Sequence, residues 1–366
     1  MSVLSSRLID AVAQSSDIVI TRLESKKNNI NEIGTGKGIK SYIWWDCARL
    51  RIPYLGRYND KIEILLFKIW IKFKKKEILT QISGDCQIMA LCGSNISFLV
   101  RLQILVEVLH LSYSIYVVDD FSESLKLSGK CEMLNEANYL AMKTYAGAQR
   151  VYSICPGMNE HIWSLYGRQS IILYPISDKI DGFITDLKVV RGQILYVGSL
   201  NLLYLNPLHE VAKLIDAMNA LGFIWTLHMI TRDKAIFEQE FSRYKFLTAD
   251  HNCSRNRLRI EVQQSEVLLL PYSFSEKTKI MVETSFPSKF MDAVCARKPI
   301  ICFAPAYASI SRHLNENGAG YHAESTMELA NLLKMRPWDL DDSWMEKYNN
   351  LQIKFHSEQS AYLVIN

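Results

Sequence analysis

Short apolar runs alternate with helical stretches throughout the second half of the chain. The run QILYVG at residues 193–198 is typical of a buried parallel strand that ends in a tight turn. A helix is predicted to follow it, because Pro207 suits the first turn of a helix and Gly222 suits the residue after one. Further strands are predicted at residues 225–230, 265–270 and 298–303, with helices that open at Pro287 and cover residues 310–316. Such alternation indicates βαβ units in a doubly wound parallel sheet, which is an α/β fold.

The first half of the chain repeats this alternation less regularly. Predicted strands cover residues 17–21, 86–91, 114–118, 150–154 and 170–174, and predicted helices cover residues 5–14, 98–109 and 131–148. A chain of 366 residues is longer than the ~250–300 residues at which single cores stop growing, so two domains are expected. We predict two facing Rossmann-like domains at residues 1–180 and 190–340, joined by a polar stretch. A C-terminal helix at 341–366 is expected to cross back to the first domain.

Charge and cysteine content exclude several classes of function. The net charge of +4 suits a phosphate-bearing ligand or an anionic surface, but it is far too small to indicate a nucleic-acid partner. The eight cysteines include no C-x-x-C pair and no cluster with metal-ligand spacing, so no metal site is expected. We expect reduced thiols in a cytoplasmic protein, since the sequence also shows no signal-peptide pattern and no apolar run of ~18–20 residues.

Residues 265–320 carry the most informative pattern of the sequence. A strand ends in Leu-Pro at 270–271, a variable loop follows, and Pro-Ser-Lys at 287–289 opens a helix of small residues. A Lys-Pro-Ile strand at 298–300 and the turn ENGAG at 316–320 complete the pattern. In order and spacing these five features resemble the donor-binding segment of the GT-B glycosyltransferases, particularly the family 4 group that builds bacterial surface polysaccharides. Segments at 115–123, 148–167, 171–177 and 194–200 extend the resemblance to roughly residues 85–335.

This resemblance implies that the second domain binds a nucleotide-sugar donor and the first binds the acceptor. By resemblance Ser288 and Lys289 hold the diphosphate, while Asp292 stands where the family usually has Glu and contacts the ribose hydroxyls. The donor-binding residues expected in this way are Gly198, Ser199, Arg232, Tyr272, Thr284, Ser285, Phe286, Pro287, Ser288, Lys289 and Asp292.

Physical chemistry supports the same segment independently. Pro287 in the first turn of a helix leaves the following backbone N–H groups available, with the positive end of the helix dipole behind them. A helix N-terminus of this kind binds anions, and here it carries Lys289 as well. Fixed donors aimed at a departing diphosphate lower the barrier to sugar transfer. The alternative is that Lys289 is simply a solvated lysine at the start of a helix.

Asp119 and Asp120 directly follow an apolar strand, where catalytic side chains of α/β folds lie. By resemblance they position acceptor or sugar hydroxyls, and one of them serves as a base. Three alternatives stay open: a metal site, a hydrolytic pair, and an N-cap of the next helix. Contiguous carboxylates fit the first two poorly. Metal-dependent transferases of the other major fold use an Asp-x-Asp spacing, and a hydrolytic pair flanks the scissile bond from both sides.

Three departures from the family pattern bear on activity. Ser199 stands where members carry Arg, and the apolar stretch 202–205 stands where they carry Lys. Residues 230–233, Ile-Thr-Arg-Asp, replace a Gly-x-Gly turn. The chain also begins at what resembles the first helix, so the first strand of the N-terminal domain is expected to be missing.

Residues 61–78 combine lysines with large apolar side chains. Two interpretations are equally favoured: an amphipathic helix that lies on an anionic membrane, and a core-facing helix with snorkelling lysines.

These observations predict transfer of a sugar from a nucleotide diphosphate sugar to a hydroxyl of a lipid-linked or polysaccharide acceptor. The resemblance implies retention at the anomeric carbon, no metal and no cofactor beyond the nucleotide-sugar co-substrate. Two alternatives remain: a degenerate, non-catalytic subunit that binds a partner or a membrane, and a nucleotide-sugar epimerase of the same fold.

Overall fold

The computed structural model describes residues 18–21, 39–42, 59–81, 88–92, 96–175 and 187–354. These residues fall into two compact units, the first ending at Leu173 and the second beginning at Tyr174. We call them unit 1 and unit 2. Among the described residues, no helix is both long and apolar enough to cross a membrane.

Unit 1 contains parallel strands in two sheets. Strands β1 (Ile18–Thr21) and β2 (Ile39–Tyr42) pair with each other, and a separate sheet has the order β3-β4-β5-β6. Its strands are β3 (Ile88–Cys92), β4 (Tyr113–Val117), β5 (Val151–Ser153) and β6 (Ile171–Ile172). The helices are α1 (Asn59–Gln81), α2 (Ile96–Leu109), α3 (Phe121–Leu127), α4 (Leu134–Gly147) and α5 (Pro156–Tyr166). Every residue of β4 is buried, as expected for a central strand covered on both faces.

Unit 2 is built on one six-stranded parallel sheet with the order β12-β11-β10-β7-β8-β9. Its strands are β7 (Gln193–Val197), β8 (Thr226–Ile230), β9 (Leu247–Asp250), β10 (Val267–Pro271), β11 (Ile300–Phe303) and β12 (Tyr321–Ala323). Its helices are α6 (Leu205–Ala220), α7 (Lys234–Glu240), α8 (Arg255–Gln264), α9 (Lys279–Thr284), α10 (Lys289–Ala296), α11 (Ser309–Asn317), α12 (Thr326–Met335) and α13 (Ser343–Lys354). The winding direction reverses between β7 and β10, which makes this the switch point of a doubly wound sheet.

The predicted α/β architecture of parallel sheets is confirmed in both units. Strands β9 and β12 were not predicted, because each is a short run without a clear apolar period. The helix expected to open at Pro287 begins at Lys289 instead. The predicted helix at 5–14 lies outside the described residues, as does the start of the chain on which the expected loss of a first strand depends. Helix α13 packs against α10 within unit 2, and the residues that follow it, 355–366, are again outside the described part.

A buried carboxylate ties together the amino-terminal edge of the unit 2 sheet. Glu266 directly precedes β10 and accepts hydrogen bonds from the Gly192 N–H at 2.6 Å and from the Trp338 indole at 3.2 Å. Arg336 approaches the same carboxylate at 3.3 Å, and its guanidinium lies 4.5 Å from the centre of the Trp225 ring. The buried Glu266 carboxylate therefore has hydrogen-bond donors and a cation beside it. A buried charge is tolerated only when it is paired and hydrogen-bonded in this way.

Two arginines of unit 2 adopt the left-handed backbone conformation for different reasons. Arg297 (φ 51°) ends α10 and Arg336 (φ 47°) ends α12. The guanidinium of Arg297 only reaches Asn349, at 3.4 Å, whereas that of Arg336 serves the Glu266 cluster.

We expect glycine to have opposite effects at these two positions. Arg297→Gly should raise the free energy of unfolding by about 0.5 kcal/mol, because relief of the left-handed conformation slightly exceeds the entropy cost of glycine. Arg336→Gly should lower it by about 2 kcal/mol, since Glu266 loses a charged partner and Trp225 loses a stacked cation. Urea denaturation of the two variants measures both values, and a loss of stability in Arg297→Gly would contradict the assignment of strain there.

Candidate donor and acceptor sites

The carboxyl ends of the unit 2 strands bring several predicted donor residues to one edge of the sheet. Gly198 and Ser199 follow β7, Arg232 follows β8, and Tyr272 follows β10. All of these strands are parallel, so the residues after them lie along the same edge. Ligands of open α/β sheets bind outside this edge at the switch point, here between β7 and β10.

The turn after β7 is held in a close-packed arrangement. The Tyr196 hydroxyl donates to the Ser199 carbonyl at 2.6 Å, and it lies so near Gly198 that a Cβ there would stand 2.6 Å from it. Any side chain at position 198 would therefore force the Tyr196 ring to shift. The Leu200 N–H donates to the Asp233 carboxylate at 2.7 Å, which links the turn after β7 to the turn that carries Arg232.

Helix α10 presents its N-terminus at the same edge. Three residues separate the end of α10 from β11, so the helix runs back along the sheet from the carboxyl edge to the amino edge. The Phe290 N–H donates to the Pro287 carbonyl at 3.0 Å, which places Pro287 and Ser288 at the entry to the first turn. The Lys289 ammonium lies 3.2 Å from the Asp292 carboxylate one turn along the helix, and both side chains are partly exposed. A lysine, a carboxylate and a helix N-terminus therefore occur together at the start of α10.

The side chains of three other predicted donor residues are buried. Tyr272 packs edge-on against Tyr204, with ring centres 5.4 Å apart. The Thr284 hydroxyl donates to the Ile280 carbonyl within its own helix at 2.8 Å, and Phe286 lies in an aromatic cluster with Phe290, Tyr174 and His313. Ser285, which follows Thr284, is half-buried, and Ser199 and Arg232 are exposed. The roles predicted for all of these residues in donor binding stay predictions.

In unit 1 the predicted acidic pair lies at the end of β4. Asp120 caps helix α3, because its carboxylate accepts a hydrogen bond from the Glu123 N–H at 2.8 Å. Its second oxygen pairs with the His161 imidazole of α5. The N-cap alternative is therefore correct for Asp120, and it holds together with a second role as the partner of His161.

The two carboxyl groups of this pair differ in electrostatic environment. Burial acts to raise the pKa of Asp120, but the hydrogen bonds from His161 and the Glu123 N–H outweigh it and leave the pKa below its ordinary value. Burial raises the pKa of Asp119, and the neighbouring charge of Asp120 adds to that shift. Groups whose pKa values are pushed apart in this way are typical of acid–base sites, although structural pairs show the same pattern.

Two residues of these sites were missed by reasoning from the sequence. Asp233 follows a strand end, and the logic applied to Asp119 could have found it. His161 is 41 residues from its partner Asp120 and follows no spacing rule, so only the packing of α5 beside α3 reveals it. Among the described residues, no group of three or more His, Cys, Asp or Glu side chains is arranged to hold a metal ion.

Replacement of Asp120 by Ala should make unit 1 less stable in a pH-dependent way. Loss of the cap and of the contact with His161 should cost about 2 kcal/mol at pH 6. Because the folded-state pKa lies below the unfolded value of ~3.9, this contribution is fully present above that pH and is lost as the pH falls through the folded value. The difference between wild type and variant should therefore shrink toward pH 3, as measured by denaturant unfolding.

The matched control is Ser254→Ala, which removes an uncharged cap from α8, where the Ser254 hydroxyl accepts from the Arg257 N–H at 3.2 Å. The free energy of unfolding lost in Ser254→Ala should be the same at pH 6 and at pH 3. An Asp120→Ala penalty that does not change with pH would contradict the charged cap.

Comparison with known proteins places this geometry in a structural class. No protein-family model matches the chain, and no curated protein matches it. Several solved structures do, at low sequence identity. The sucrose-phosphate synthase from Thermosynechococcus elongatus aligns with a TM-score of 0.66 and 12% identity, over 99% of this chain and 90% of its own. An α,α-trehalose-phosphate synthase (UDP-forming) from Burkholderia vietnamiensis aligns with a TM-score of 0.65 and 9% identity, over 99% of this chain and 96% of its own.

A third structure, described as trehalose-6-phosphate from E. coli bound with UDP-2-fluoro glucose, aligns with a TM-score of 0.64 and 9% identity. It covers 98% of this chain and 94% of its own. These neighbours are GT-B glycosyltransferases, and the chain has the GT-B fold that the sequence pattern predicted.

Proposed function

We propose that the chain is a glycosyltransferase that moves a sugar from a nucleotide diphosphate sugar to a hydroxyl of a lipid-linked or polysaccharide acceptor. The observation that carries the proposal is the N-terminus of α10 with Lys289, on the carboxyl side of the unit 2 sheet. The GT-B fold agrees with it, and so does the E. coli neighbour described with a bound UDP sugar.

In this proposal the donor diphosphate is held by unit 2. The N–H groups at the start of α10 and the Lys289 ammonium face the negative charge that builds on the leaving phosphate oxygen. Asp292 now pairs with Lys289 at 3.2 Å, and a donor would compete for that lysine and leave the carboxylate for the ribose hydroxyls. Arg232, linked to the turn after β7 through Asp233, is the second cation proposed for the phosphates.

Unit 1 supplies the acceptor side in this proposal. Asp119 is the better candidate to bind a hydroxyl proton, because its pKa is raised and Asp120 is already used by the α3 cap and by His161. We assign Asp120 to positioning, since its carboxylate fixes both the entry of α3 and the His161 ring.

The finer features of the reaction rest on the resemblance to family 4 enzymes. They are retention of the anomeric configuration, independence of metal ions and a place in cell-surface polysaccharide biosynthesis. We also propose a cytoplasmic location, which rests on the reduced thiols expected of the eight cysteines. Lys289 and the helix N-terminus would take the role that a cation plays in metal-dependent transferases.

Nucleotide binding tests the donor site directly. A nucleoside diphosphate at ~100 times its dissociation constant should stabilise the folded chain by ~2.7 kcal/mol, which is visible as a rise in Tm. We expect one of UDP, GDP or dTDP to give this rise in the wild type and not in Lys289→Ala. Lys334→Ala, which replaces an exposed lysine on α12, is the matched control and should respond like the wild type.

A folded wild type that responds to none of the three nucleotides would overturn the active-transferase proposal. That result would favour the degenerate, non-catalytic subunit. The sequence supports this alternative because Ser199 and the apolar stretch 202–205 replace the expected Arg and Lys. Conversion of a nucleotide sugar to its epimer without any acceptor would instead favour the epimerase.

Metal removal tests the proposed role of Lys289. Sugar transfer should proceed at an unchanged rate after dialysis against EDTA, because the lysine and the helix N-terminus already neutralise the leaving group. The measurement is turnover of the donor selected in the melt experiment, with and without added Mg²⁺ or Mn²⁺. Activity that is lost on dialysis and restored by either ion would contradict this part of the proposal.

A further inference from the structure

Helix α1 has one face that is packed into unit 1. Phe67, Ile71 and Ile78 of α1 are buried there. They pack against Ile104, Leu105 and Leu109 of α2. This contact explains part of the apolar content of residues 61–78, and it agrees with the core-facing interpretation of the sequence. It does not account for the apolar residues on the rest of the helix.

The opposite face of α1 also carries large apolar side chains, and these are exposed. Leu65 is 57% exposed, Ile69 is 43% exposed and Phe73 is 85% exposed. They recur every fourth residue, so they form one row along the helix. At about 100° per residue this row points away from the packed face. Scattered exposed apolar residues are ordinary on protein surfaces, but packing within the described part of the chain does not explain three in one row on one helix.

A second row, of lysines, runs beside the apolar one. Lys68, Lys72 and Lys76 are exposed and also recur every fourth residue. The sequence has no acidic residue between positions 64 and 76, so these charges meet no opposite charge within that stretch of the helix. The outer face of α1 therefore offers an apolar ridge bordered by cations.

We propose that this outer face of α1 docks on an anionic lipid surface. Leu65, Ile69 and Phe73 would enter the boundary between headgroups and acyl chains, while the lysines contact the phosphates. The row spans about 12 Å, eight residues at 1.5 Å each, which is too short to supply the ~800 Å² per partner of a stable protein complex. Binding to a bilayer requires no such minimum area, because each inserted apolar side chain and each lysine near the lipid phosphates adds its own contribution. This proposal is independent of the proposed function, since it needs neither donor nor acceptor.

Sedimentation of the full-length chain with lipid vesicles tests the proposal, without any nucleotide sugar present. We expect binding to phosphatidylglycerol vesicles at least ~100-fold stronger than to phosphatidylcholine vesicles, since each surface lysine contributes about fivefold. Replacement of Lys68, Lys72 and Lys76 together by Gln should abolish that preference, and 0.5 M salt should weaken it strongly.

Phe73→Gln separates a lipid surface from simple charge attraction. It removes the most exposed apolar side chain and should weaken binding to phosphatidylglycerol about tenfold. The control is Leu340→Gln, which removes a leucine that is 78% exposed in unit 2 and should bind like the wild type. All variants replace exposed side chains, and unchanged melting temperatures would show that they are folded.

Two results would overturn the proposal. One is a wild type that does not bind phosphatidylglycerol, or that binds it no less tightly after Phe73→Gln. The other is concentration-dependent dimerisation in analytical ultracentrifugation that Phe73→Gln abolishes, because the apolar row would then be covered by a second copy of the chain.

Discussion

Strand β7 is hydrogen-bonded to β10 on one side and to β8 on the other, and this pairing decides where the polar residues of unit 2 gather. Parallel strands need crossover helices, and a sheet wound in two directions from its centre leaves a gap between the first crossovers. The turns after β7, β8 and β10 and the N-terminus of α10 are brought to the carboxyl edge by this winding. This winding brings residues as far apart in the chain as Ser199 and Lys289 to the same edge of the sheet.

The two edges of the same sheet have different chemistry. At the amino edge the Glu266 carboxylate is buried and satisfied by Gly192, Trp338 and Arg336, so the charge holds segments together. At the carboxyl edge Ser199 and Arg232 are exposed, and Lys289 has a partner that a ligand could replace. This division follows a general property of α/β folds, in which one edge stabilises the sheet and the other binds ligands.

In unit 1 a single side chain combines a structural and a chemical role. Asp120 caps α3 and holds His161, so that substitution of this residue will disturb folding and any chemistry together. Asp119, directly before it, does not cap α3, and its pKa is raised. The asymmetry explains why two adjacent carboxylates need not act as an equivalent pair.

Sequence pattern and tertiary structure contributed different parts of this picture. The alternation of apolar runs with helix signals determined the parallel α/β sheets and most strands, because local periodicity reflects burial on one or both faces. It also located the start of the Pro-Ser-Lys helix to within two residues, since the helix begins at Lys289 rather than at Pro287. Short strands such as β9 and β12 escaped prediction, since pairing with a neighbour rather than local pattern stabilises them.

Only the tertiary structure decided which side chains meet. The link from Asp233 to the turn after β7, the pairing of Asp120 with His161 and the burial of Phe286 among aromatic rings all join residues from separate elements. The same holds for α1, where the sequence left core and membrane interpretations equal and the packing on α2 showed an inner face and an exposed outer row. Contacts of this kind depend on how helices and strands pack in three dimensions, and a one-dimensional pattern does not contain that information.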